Sequence, residues 1–152
     1  MIKLCQRDQK WADTPIGKTP YLLKRFGCTI TCISMFSDYF AKFKGFWKSP
    51  KDLASKLQFT KDGLIIWASL PEVLPFRLEK RLYSRNDSEI KISLKDSKRA
   101  VALQVDNFHW LAVVGKGLLG GWVVYDPWDG LKKTIPNKSY KAITGSAHFI
   151  LS

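Results

Sequence analysis

Phe26-Gly27-Cys28-Thr29-Ile30-Thr31-Cys32 opens the best helical stretch of this chain. From Cys28 onward, Cys32, Met35, Phe36, Tyr39, Phe40 and Phe43 recur at three- and four-residue steps, the spacing of one buried helix face. That period predicts a helix over 28–43 with Cys28 in its first turn. Aligned peptide dipoles leave partial positive charge at such a terminus, and a thiol placed there ionises more readily than a free one. A glycine stands immediately before it.

Upstream, residues 1–25 read as loop, broken by Pro15, Gly17 and Pro20, with Trp11 as an anchor. Downstream, Ser49-Pro50-Lys51-Asp52 supplies an N-cap, a proline at the first helical position and an acid in the first turn. A short helix is expected from there to Leu57, and another over 63–70, ended by Pro71. Beyond this point the period changes. Phe76, Leu78, Lys80 and Leu82 alternate with Arg77, Glu79, Arg81 and Tyr83, which predicts a strand. Further strands are expected at 99–105, 109–115, 121–126 and 145–151, whereas 86–97 fits either state. Helices first and antiparallel strands afterwards make the class α+β, in one domain over 1–152.

Composition narrows the function classes. With 45% hydrophobic and 13% aromatic residues, the 152-residue chain can bury a core and is not a disordered segment. Its three cysteines leave no even disulfide framework, which favours reduced thiols. No secretory signal pattern is visible at the N-terminus, so synthesis in the cytoplasm, with later release to act on a cell wall, is the expected route. No apolar run reaches the roughly 18 residues needed to span a bilayer. The net charge of +12 attracts polyanions, and an anionic cell-wall polymer is one partner of that kind. The basic residues are dispersed, however, and no nucleic-acid recognition motif accompanies them.

Residues 109–115 and 120–126 flank a glycine-rich turn. A symmetric turn centred between Gly117 and Leu118 would set His109 directly opposite Asp126, with both side chains on one face of the sheet. A one-residue slip would separate them. Cys28, His109 and Asp126 then have the makings of a nucleophile, a base and an orienting carboxylate. Gln6 can donate its side-chain amide to an oxyanion beside the Cys28 backbone N–H. No metal or organic cofactor enters this scheme.

Several short blocks resemble the papain-like cysteine peptidases, especially stand-alone relatives of the bacteriocin-processing (double-glycine leader) branch. They are Gln6-Arg7-Asp8-Gln9-Lys10-Trp11 with Gly17 after it, Gly27-Cys28-Thr29-Ile30-Thr31 with Met35 and Tyr39, Ser49-Pro50-Lys51-Asp52-Leu53, and His109-Trp110-Leu111-Ala112-Val113-Val114-Gly115 followed by Tyr125-Asp126-Pro127. Together they span about residues 4–150 in the family's order. The resemblance implies a papain-like fold, with Cys28 as nucleophile, His109 as base, Asp126 as orienting acid and Gln6 as oxyanion donor. It also implies a peptide substrate, and many stand-alone relatives occur beside bacterial cell-wall modules or in phage, which brings in peptidoglycan peptides. The transporter-fused members' double-glycine leader is not carried over, because this chain shows no membrane or nucleotide-binding domain.

Other readings use the same residues. Cys28 can be an inert buried thiol, and Cys28, Cys32 and a histidine can form a metal site, although no second cysteine pair accompanies Cys-x3-Cys. A catalytically silent papain-like module that binds or inhibits an anionic partner is a second function class. Cys32 and Cys5 are expected in packing roles and His148 as a structural residue of the last strand. Asp106 and Asp129 are substitutes for Asp126. Of Trp110, Trp122 and Trp128, at least two are expected in the core.

Overall fold

The computed structural model describes residues 1–152 and joins five helices to one sheet. A short α1 (Leu23–Phe26) leads through Gly27 into α2 (Cys28–Ala41), which buries Ile30, Cys32, Ile33, Met35, Phe36 and Phe40. Helix α3 (Pro50–Lys56) starts with a full capping box: Ser49 accepts from the Asp52 amide, and the Asp52 carboxylate accepts from the Ser49 amide. The expected 63–70 helix is corrected. A 3-10 turn (Trp67–Ser69) runs into α4 (Leu70–Val73), with Pro71 inside its first turn. Proline is tolerated there because that N–H has no helical partner to lose. The ambiguous 86–97 segment contains α5 (Asp87–Leu94), capped by Asn86 accepting from the Glu89 amide at 3.1 Å.

Six strands follow the order β1-β6-β2-β3-β4-β5, and every pair is antiparallel. They are β1 (Phe76–Leu82), β2 (Arg99–Val105), β3 (His109–Lys116), β4 (Trp122–Asp126), β5 (Leu131–Ile135) and β6 (Ile143–Leu151). The class is therefore α+β, as expected. Strand β5 was not foreseen: its exposed Leu-Lys-Lys-Thr run carries no apolar alternation. One sheet face presents Ala100, Ala102, Ala112 and Ala147, with Trp110 and Phe149, to the α2 cluster. Small residues let the helix lie close, and the large α2 side chains fill the space. The other face packs Val101, Leu103, Leu111, Val113 and Val124 against Ile90 of α5. No helix is long and apolar enough to cross a membrane.

The β3–β4 hairpin departs from a symmetric turn about Gly117-Leu118. Its turn closes from the Gly117 N–H to the Gly121 carbonyl at 3.1 Å. Lys116 faces Trp122 and Gly115 faces Val123, but Val113 faces Val124 and Ala112 faces Tyr125. Val114 is the extra residue of a β-bulge. Without it, the turn-side register would bring Asp126 opposite Ala112, on the face away from His109. The bulge moves Asp126 one place, opposite Leu111. His109 and Asp126 are thus diagonal neighbours on one face, not the directly facing pair expected.

His148 occupies β6 as a wholly buried residue, as expected for a structural histidine. Ser93 of α5 bonds its Nδ1 at 2.7 Å and Ser146 its Nε2 at 2.9 Å. Burial, reinforced by the Lys80 charge, lowers its pKa to about 4. The unfolded chain therefore takes up this proton first. Stability is full above the ordinary histidine value and falls between about pH 6.5 and about pH 4. The loss is at most about 3 kcal/mol, from the size of the shift. Urea unfolding at pH 7 and near pH 4 should show it, and His148→Gln should flatten that part of the profile.

Candidate active site

Gly27 decides where Cys28 stands. A Cβ at Gly27 would lie 2.5 Å from the Leu23 carbonyl oxygen, so only glycine lets α1 turn this tightly into α2. Cys28 is consequently the first residue of α2, with no acid in that turn to oppose its ionisation. The side chain is half-buried, with Sγ 4.0 Å from the Thr29 hydroxyl. Burial raises its pKa, but hydrogen bonding to His109 and the His109 charge outweigh that, helped by the Trp110 backbone and Thr29. The net result is a thiol below its ordinary value. Cys32, one turn on, goes the other way: burial and the Cys28 and Asp126 charges push it well up. Its Sγ lies 3.6 Å from the Trp110 carbonyl, a packing position. All three cysteines are unpaired.

His109 begins β3, and its Nε2 donates to Asp126 Oδ1 at 2.8 Å. Since a carboxylate only accepts, this bond assigns the ring proton to Nε2 and leaves Nδ1 as the nitrogen available to the thiol. Burial lowers the His109 pKa, whereas hydrogen bonds to Asp126 and Cys28 raise it, and the balance stands at about 9. Thiol and imidazole thus stabilise each other's charged forms.

Asp126 closes β4 with no exposed surface. Burial alone would raise its pKa; four hydrogen bonds drive it far below the usual carboxylate range instead. Oδ1 accepts from His109 and from the Trp128 backbone N–H at 2.9 Å. Oδ2 accepts from Lys133 Nζ and from the Tyr140 hydroxyl, each at 2.6 Å. Tyr140 also stacks on the His109 ring, with centroids 5.3 Å apart and planes at 25°.

Lys133 and Tyr140 are the site residues that sequence reasoning missed. Lys133 counted among dispersed surface lysines, yet the tight 126–131 turn pairs Asp126 with Leu131, which puts Lys133 diagonal to the carboxylate. The Asp126-Pro127-Trp128-Asp129-Gly130 run carried that signal. Tyr140 lies in the β5–β6 connection, where no local pattern points to the site. Of the substitutes, Asp129 bonds Lys133 at 2.6 Å, and Asp106 accepts from the Ala142 amide in the connection leading to β6. Neither bonds His109.

Gln6 is buried beside the turn that feeds Cys28. Its backbone N–H donates to the Pro127 carbonyl at 2.7 Å, and its Nε2 donates to the Lys24 carbonyl at 3.2 Å. Its Oε1 is buried without a partner. Cys5 Sγ bonds the Trp128 carbonyl at 3.3 Å and Arg7 stacks on the Trp128 ring, so the N-terminal segment clasps the loop that follows Asp126. Gly130, at φ +72°, allows this: a Cβ there would press on Cys5. Trp110 and Trp122 are buried, whereas Trp128 is partly exposed. Cys28, Cys32 and His109 do not form a group of metal donors.

Cys28 opens onto a cleft of about 570 Å³ walled largely by apolar side chains, among them Phe26, Leu64, Trp67, Phe108 and Trp110. Arg81 lies within it, but its guanidinium is committed to Gln104, the Leu82 and Ser146 carbonyls and the Trp110 face. Of the three groups Cys28 lines this groove, while the His109 ring and the Asp126 carboxylate are buried. No protein-family model matches the chain, and no curated protein matches it.

Alkylation tests the electrostatics. Iodoacetamide should label Cys28 ahead of Cys5 and Cys32, with a rate that persists below the ordinary thiol range. His109→Ala should move that dependence up toward a free cysteine, as peptide mapping across pH would show. Lys133→Met removes a cation competing for Asp126. The His109 pKa should then rise, which NMR titration of the ring protons would detect.

Proposed function

We propose that the chain is a cysteine-dependent amide-bond hydrolase of papain-like architecture, acting on peptides and foremost on peptidoglycan peptides. The supporting observation is the buried His109–Asp126 bond, which leaves the remaining ring nitrogen to a thiol at a helix N-terminus and lowers that thiol's pKa. A helical part packed on an antiparallel sheet is compatible with the papain-like arrangement.

The chemistry follows from these groups. Cys28 Sγ attacks the amide carbonyl as a thiolate, and the carbonyl oxygen becomes an oxyanion. The Cys28 backbone N–H and the second N–H of Gln6 Nε2 are its donors. His109, as imidazolium, delivers its proton to the departing amine, and the C–N bond breaks to leave a thioester on Cys28. A water then loses a proton to His109 and attacks the thioester; the acid departs and the sulfur is restored. Asp126 holds the ring through both steps and remains ionised.

Wild type and Cys28→Ala should be incubated with purified peptidoglycan and with a peptide library, and the products read by mass spectrometry. Cleavage should fall by at least about a thousandfold in the variant. Gln6→Ala should lose about a hundredfold in kcat with a smaller change in KM. The pH profile should rise as Cys28 ionises, below the ordinary thiol range, and fall as His109 deprotonates near 9. Retention of either substrate without cleavage would favour the silent binding module.

A further inference from the structure

The end of the molecule opposite the cleft carries two exposed apolar tips. The first is the β3–β4 turn, where Leu118 and Leu119 are 105% and 104% exposed. The second follows α2: Lys42-Phe43-Lys44-Gly45-Phe46-Trp47-Lys48, with Phe46 at 84%. Both lie at the same end. Strand β3 and helix α2 each begin at the site, with His109 and Cys28, and run away from it. Tyr39, near the end of α2, shares a recess with Val114, Lys116 and Trp122 at the far end of the hairpin. Lys42 Nζ in turn lies over the Tyr39 ring at 4.2 Å, which ties the second tip to that recess.

Cations surround the tips. Lys91, Lys95 and Lys116 border the recess, and Lys42, Lys44 and Lys48 punctuate the aromatic loop. None of these six pairs with an acid. Of the acids nearby, Asp87 pairs with Arg85, Asp96 and Glu79 with Arg99, and Asp38 with the N-terminal amine. Glu72, which shares a groove with Lys44, Phe46 and Lys48, makes no ion pair and accepts from Gln58. Six lysines outside any ion pair thus stand against one such acid, and lysine charge at this end is in clear excess.

We propose that this end docks on an anionic bilayer surface. Such a surface explains both features together: lysines meet lipid phosphates, while Leu118, Leu119, Phe46 and Trp47 enter the boundary between headgroups and acyl chains. A nucleic acid or a phosphate polymer satisfies the lysines but gives the leucines nothing to bury against. A second copy of the chain offers apolar surface but brings the same excess of lysines, which repel. Docked this way, the protein holds the Cys28 cleft roughly 25 Å above the membrane, the length of β3. The contact is peripheral, with no segment crossing.

Flotation of the full chain with vesicles tests this, using phosphatidylcholine mixed with phosphatidylglycerol against phosphatidylcholine alone. Wild type should float with the anionic vesicles and not with the neutral ones. Leu118→Ser/Leu119→Ser and Phe46→Ser/Trp47→Ser should each weaken partitioning about tenfold without altering its salt dependence. Lys44→Gln/Lys91→Gln/Lys116→Gln should weaken it about a hundredfold and flatten the salt dependence. A charge-matched control, Lys18→Gln/Lys51→Gln/Lys141→Gln, should lose far less. These positions are exposed, so thermal melts should match wild type. Serine variants that float like wild type would overturn the proposal, as would equal losses in the two lysine triples. Wild type binding an oligo(dT) strand as tightly as the anionic vesicles, or forming a dimer that the serine pairs abolish, would also overturn it. None of the altered residues belongs to the proposed catalytic set, so failure here leaves the hydrolase reading intact.

Discussion

Asp126 is a carboxylate with no water to solvate it, and the site depends on how that cost is met. An unpaired buried charge would cost several kcal/mol, or the group would protonate and lose its hold on His109. Four donors prevent this, two on each oxygen. They come from β3, the turn after β4, β5 and the β5–β6 connection. The carboxylate thereby ties together segments far apart in sequence and keeps the imidazole in one tautomer. Lys133 has a double effect. It keeps Asp126 ionised, and it competes with His109 for the same carboxylate, which restrains how strongly the ring is made basic.

Geometry around that carboxylate comes from strand parity. Both His109 and Lys133 reach Asp126 diagonally from the flanking strands, and each contact needs its residue on the correct face. Val114 supplies the odd residue that corrects β3. The same bulge lies near where β2 and β3 cease to pair, beyond Ala102 and Ala112, and residues on both sides of that parting line the far recess.

The two ends of the molecule have contrasting chemistry. Around Cys28 the side chains are buried, mutually bonded and electrically matched. At the other end Leu118, Leu119 and Phe46 stand exposed near lysines that make no ion pair. Rigid elements, β3 and α2, join the two. A molecule that acts on amides while resting on an anionic surface would use this separation to keep its cleft clear of that surface.

Much of the fold was legible in local pattern. The three- and four-residue period of 28–43 identified α2, the Ser49 box identified α3, and alternation identified β1, with four further strands expected close to where β2, β3, β4 and β6 lie. Cys28, His109 and Asp126 were readable because a helix start and a hairpin each place side chains by simple rules. The α4 turn, β5 and the capped α5 were read poorly because their apolar pattern is weak and packing completes them. Direct facing of His109 and Asp126 failed for another reason: glycine-rich turns close in several ways, and the turn centre moved to Leu119. The pair survived because turn and bulge together shifted the register by an even count, which preserves the face. Sequence by itself determined which residues have chemistry to offer, since periodicity and end effects are local. Tertiary structure decided the company they keep. Tyr140 on the carboxylate, the unpartnered Gln6 oxygen and the gathering of two apolar tips at one end all arise from contacts between distant segments, and no local pattern encodes those.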